Sequence, residues 1–279
     1  MKPIDIDKLF EKHLRAVMSR NVGNFTEEEW EGKLPELYEN FGDAPLMELG
    51  GESPRSYFVK LGGEEQANLL AEYVKQGVSV PDYLCDAIMQ TPTAEPALLA
   101  FVTPNTEEEL FFFAVNLLED LGSIAPLQTY VNGVFGNEYS IPEKELMIEM
   151  LSAHAELVSD EILARYDGAD EGTQTMLLDV IVEGKKCEKA FAVLMDAFTA
   201  HDDEIPLYAQ YLSKYGDERA LPVLYRAIEQ EGLDYVSFQE LRSAIESLGG
   251  EYEKERDFSH DRFFHAVKNA DTDGEDSVS

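Results

Sequence analysis

Apolar positions in this chain recur mostly at intervals of three and four residues. In EEELFFFAVNLLEDLG, Leu110, Phe113, Ala114, Leu117, Leu118 and Leu121 follow that rhythm; in ERALPVLYRAI, Leu221, Leu224, Tyr225 and Ile228 repeat it. Such spacing gathers apolar side chains on one face of a helix. Runs of alternating β-branched residues are absent. One stretch invites a hairpin, YVNGVFGNEYS (Tyr130 to Ser140), whose Asn-Gly pair favours a tight turn. It reads as a helix end followed by a loop.

Polar punctuation marks where these helices begin and end. Thr26 stands three residues before Glu29, Thr106 before Glu109, and Ser140 before Glu143. Each pair forms a capping box, in which the hydroxyl satisfies a free amide and the carboxylate reaches back. Ser53 before Pro54 and Asp217 before ERALPVL read as N-caps. Pro222 falls about one turn in, where it costs at most a bend because the early amides have no intrahelical partner. Gly62, Gly77, Gly122, Gly216 and Gly249 read as helix ends that use a left-handed residue.

Aligning the helix ends puts turns near Gly122, Val158, Gly184, Gly216 and Gly249, roughly 26 to 36 residues apart, the period of helix-pair arrays. A lone pair cannot bury its apolar stripe, and stacking on neighbours does so. YLSKYGDERALPVLYRAI (Tyr211 to Ile228) resembles a HEAT-like repeat of the short bacterial type, also found in phycobilisome lyases. The G-D-x-R-A-[LV]-P-x-L signature of that family falls on Gly216, Asp217, Arg219, Ala220, Leu221, Pro222 and Leu224. GSIAPLQTY keeps only Gly122, Pro126 and Leu127, without the Asp and Arg. EGKKCEKAFAVL keeps only small and apolar positions. The resemblance implies an α-solenoid and a protein-binding role, and it transfers no catalytic residue.

The expected fold is all-α. It is an α-solenoid of antiparallel helix pairs stacked right-handedly, with about five pairs over 64–250. Residues 1–63 are expected to form an N-terminal helical cap, 251–268 a short C-terminal helix (DFSHDRFFHAV, Asp257 to Val267), and 269–279 a disordered acidic tail. Within the cap, APLMELGGESPRSYF resembles a turn seen in assorted bacterial helical proteins. Gly50 and Gly51 make the turn, Ser53 and Pro54 start the next helix, and no lysine follows as in a phosphate-binding loop.

Charge narrows the choice of partners. Acidic residues outnumber basic ones 56 to 22, for a formal net charge of −34. Nucleic acid and anionic membrane would be repelled, and a basic protein or peptide is favoured. From Gln76 to Ala164 the only basic side chain is Lys144, among about fifteen acidic ones. That block is the expected docking surface. Cys85 and Cys187 form no C-x-x-C and fit a reducing compartment as packing residues. Cys187, beside Lys185, Lys186 and Lys189, would have a lowered pKa if exposed. The N-terminal stretch has no apolar signal core, and the longest apolar cluster, Leu110 to Leu118, is too short for a bilayer. A cytoplasmic location is expected.

Catalytic patterns are missing. There is no G-x-S-x-G, no H-E-x-x-H and no Cys/His pairing. Glu107, Glu108 and Glu109 have a sufficient reason to open a helix in its dipole. Asp257, Asp261 and His265, with His260 beside them, would share a helix face at spacings of four, as metal ligands can, though no Cys or Glu completes a known set. No metal or cofactor is assigned. Tyr208, Tyr211 and Tyr215 recur at three and four and, core residues by default, supply the best anchor for a partner. With Glu107, Glu108 and Asp120 they form the expected partner-binding set. The function expected is a non-catalytic scaffold for protein or peptide. The alternative from another class is an enzyme like the HEAT-repeat bilin lyases, which would need a large pocket and a carboxylate or tyrosine acid. A repeat-type DNA glycosylase is disfavoured by charge.

Overall fold

The computed structural model describes residues 1–21, 25–201 and 203–265. The described residues form helices and turns, with no strand and a single isolated bridge between Leu46 and Glu52. The chain is all-α, as its periodicity predicts. It divides into two compact units, Met1–Met147 and Ile148–Ser279. The division falls inside a helix, α9 (Ile141–Ala153).

The first unit opens with α1 (Ile6–Arg20), α2 (Glu27–Gly42) and α3 (Pro54–Val59). It continues with α4 (Gly63–Lys75), α5 (Asp82–Met89), α6 (Glu95–Leu99), α7 (Glu108–Asp120) and α8 (Leu127–Phe135). α1 packs on α2 and α2 on α3; α4 packs on α5, α6 and α7. Phe41, Phe58, Leu70, Tyr73, Leu84, Ile88 and Phe111 are buried in its core. Asn132 and Gly133 lie inside α8, so YVNGVFGNEYS is helix then loop, as expected. Gly50 and Gly51 both have positive φ, and Ser53 caps α3 with Pro54 in the first turn.

The second unit holds α10 (Ala155–Arg165), α11 (Glu171–Glu183), α12 (Glu188–Ala200), α13 (Ile205–Tyr215), α14 (Leu221–Ile228) and α15 (Tyr235–Ser247). α11, α13 and α15 form a row, each touching the next; α12 packs on α11 and α13, and α14 on α15. Packing on helices one or two places along the chain is the solenoid-like arrangement, since each amphipathic helix hides its apolar stripe against near neighbours in sequence.

Side-chain hydroxyls lock loops to neighbouring helices. The Tyr215 hydroxyl accepts from the Cys187 amide at 2.8 Å and donates to the Cys187 carbonyl at 3.1 Å. Tyr225 does the same for Glu251, at 3.0 and 3.1 Å, and Tyr73 for Ile4, at 3.2 and 2.7 Å. One phenol thus satisfies both main-chain groups of a loop residue, which would be costly to leave bare when buried. Ser159 accepts from the Lys185 amide at 3.2 Å, and Gly184 lies so close that a Cβ there would stand 2.2 Å from the Ser159 hydroxyl.

Several expected boundaries move. The Thr26 and Ser140 capping boxes form, the second with Glu143 accepting the Ser140 amide at 2.6 Å. The Thr106 box does not: its hydroxyl pairs with that of Thr103 at 2.9 Å, and Glu107 becomes the N-cap of α7. Gly62 starts a helix instead of ending one, its amide donating to Glu65 at 3.1 Å. The turn expected near Val158 lies at His154, between α9 and α10. Gly77, Gly122, Gly216 and Gly249 do carry positive φ. At Gly216 (φ 70°) a side chain would strain the left-handed cap of α13. The C-terminal helix begins only at Arg262, so Asp257 lies outside it. Residues 266–279, with the expected tail, are outside the described residues.

Candidate acidic docking surface

The acidic block keeps its sign when folded. In the first unit, Asp82, Glu107, Glu108, Glu109, Asp120, Glu138 and Glu145 are exposed, and Asp86, Glu95 and Glu119 partly so. Only Glu143 is buried among the carboxylates between Gln76 and Met147, and Lys144 beside it is 7% exposed. The one lysine of the block therefore puts almost no charge on the surface.

α7 displays much of this surface. Glu107 caps it, and Glu108 and Glu109 stand in its first turn, where the free amides favour negative charge. Glu108, Glu109, Phe112, Phe113 and Asn116 border a shallow depression of about 360 Å³. Asp120 closes the other end of the helix. With Asp82 and Asp86, after the larger effect of burial, it pushes the Cys85 thiol up to about 11.

The tyrosines divide. Tyr208 and Tyr215 are each 1% exposed, and both belong to the core of the second unit. Only Tyr211 reaches the surface in part, donating to Asp179 at 2.7 Å. Burial first, and then that bond to a carboxylate, raises its phenol above the ordinary range. The three share one face of α13, with Tyr208 and Tyr215 nearly in line and Tyr211 about 50° to the side, so Tyr211 sits at the edge of the buried stripe. Glu107, Glu108 and Asp120 belong to the first unit and the three tyrosines to the second.

The last segment is held to the start of α15 and to its own main chain. Asp261 accepts from the amides of Tyr235, Phe263 and Phe264 at 2.9, 2.7 and 3.3 Å. The His265 ring meets the Ser259 carbonyl at 2.8 Å. Among the described residues no group of three His, Cys, Asp or Glu is placed to hold a metal ion. Cys187 is exposed and caps α12, its sulfur accepting from Ala190 at 3.5 Å.

No family model, curated protein or solved structure matches the chain. Its class therefore rests on its own features, an all-α protein of helices stacked on sequence neighbours with a carboxylate-rich surface. No helix among the described residues is long and apolar enough to cross a membrane.

Proposed function

We propose that this protein is a non-catalytic scaffold of HEAT-like repeats in a reducing compartment, binding a basic protein or peptide through its acidic surface. The observation that carries the reading is the stretch from Gln76 to Met147, whose exposed charges are all carboxylates and whose one lysine, Lys144, is buried. A surface of one sign attracts oppositely charged partners and speeds their encounter. Glu107, Glu108 and Asp120 supply the attraction.

A fluorescent Lys/Arg-rich peptide titrated with the whole chain tests this. Affinity should fall at least about tenfold between roughly 50 and 300 mM salt, as screening shortens the reach of the charges. An acidic peptide of equal length should not bind. Binding that ignores salt, or equal binding of the acidic peptide, would overturn the reading.

A further inference from the structure

The first unit carries a groove whose chemistry goes beyond general acidity. α2 presents Leu34, Pro35 and Tyr38 on one side, and α1 contributes Phe10. Together they floor an open groove of about 620 Å³, with Leu34 37% exposed. The Phe10 and Tyr38 rings meet edge to face at 5.0 Å, and Tyr38 stacks on Tyr83 at 5.0 Å. Asp7, Glu31 and Asp82 form the rim.

Three observations say what fits there. The rim carboxylates pair with no cation among the described residues, so their charge is uncompensated, whereas several other carboxylates of the first unit are paired. Asp5 pairs with Lys8, Glu11 with Arg15, Glu48 with Lys12, Glu52 with Lys60, and Glu39 and Asp43 with Arg55. Pro35 has no amide to give the Glu31 carbonyl one turn earlier, so an acceptor at the groove lacks its helical donor. The aromatic floor suits both apolar contact and a cation held over a ring.

We infer that this groove binds a basic amphipathic peptide segment. Its apolar side chains rest on Phe10, Leu34 and Tyr38, and its Lys or Arg side chains face Asp7, Glu31 and Asp82. A second copy of this chain, a nucleic acid or an anionic lipid would bring like charge to the rim. The inference rests on the acidic-surface reading and adds the anchor that such a surface needs, since rim charge governs association and a desolvated apolar contact governs dissociation.

Two labelled peptides of equal charge, one Lys/Leu-patterned and one with Ser in place of Leu, are titrated against the whole chain and its variants. The Lys/Leu peptide should bind about tenfold or more tightly than the Lys/Ser peptide. Leu34→Asn should speed its dissociation about tenfold, and Glu31→Lys should weaken it similarly even if Leu34→Asn fails to fold. Glu108→Lys with Asp120→Lys should mainly slow association. Equal binding of the two peptides would overturn the groove, as would Leu34→Asn or Glu31→Lys binding within about twofold of the unaltered chain; in either case the acidic-surface reading survives. If neither peptide binds, that reading falls and the groove with it.

Discussion

Single atoms decide several local outcomes. Tyr215 holds both main-chain groups of Cys187 through one oxygen. Tyr215→Phe keeps the ring and strips both bonds, and should cost about 1–3 kcal/mol by urea denaturation. Gly184→Ala would drive a Cβ against the Ser159 hydroxyl and should cost a similar amount, about 1–3 kcal/mol. Adding Ser159→Ala should recover part of that loss, and a strictly additive double variant would refute the contact. Cys85 and Cys187 should separate under native alkylation followed by mass mapping. Cys187 is exposed, while the Cys85 thiol is raised from 9.0 to about 11 and stays protonated at neutral pH. Because the folded pKa is the higher one, stability from this group is complete below pH 9 and declines as pH rises toward 11.

At the scale of elements, helix existence was legible and helix ends only in part. The apolar rhythm of α7 and α14 lies in the chain itself, because burial of one face imposes it. The caps depended on local hydroxyls whose partners were in reach, and they held at Thr26 and Ser140. Thr106 failed because a second threonine, Thr103, took its hydroxyl. The turn expected near Val158 is continuous helix, where Ser159 donates to the Ala155 carbonyl and accepts from the Lys185 amide of the loop after α11. The bond to Lys185 joins residues 26 apart, so no local rule contains it. The groove was hidden for the same reason, since Phe10 and Leu34 become neighbours only when α1 packs on α2. Its one visible signal was Pro35 amid a helical pattern, a residue that frees a carbonyl when it sits beyond a helix's first turn. The acidic face was the most legible part, because charge needs no fold to be counted.

For the molecule as a whole, a net charge of −34 works against compactness, because like charges repel at close quarters. Thermal unfolding at neutral pH should therefore shift upward as salt rises from about 10 to about 300 mM, a range over which screening shortens from tens of ångströms to a few. A melting temperature that stays flat or falls would show that self-repulsion does not limit stability. The same loss of reach should weaken binding of a basic partner, so salt moves stability and affinity in opposite directions.

The doubly bonded phenols make the protein its own timekeeper. Tyr73 in the first unit and Tyr215 in the second are each 1% exposed, and neither hydroxyl is open to reagent while its loop stays tied. Nitration of either ring must wait for that part of the chain to breathe. The two rates, read separately by peptide mapping, would clock the opening of each half without any added probe.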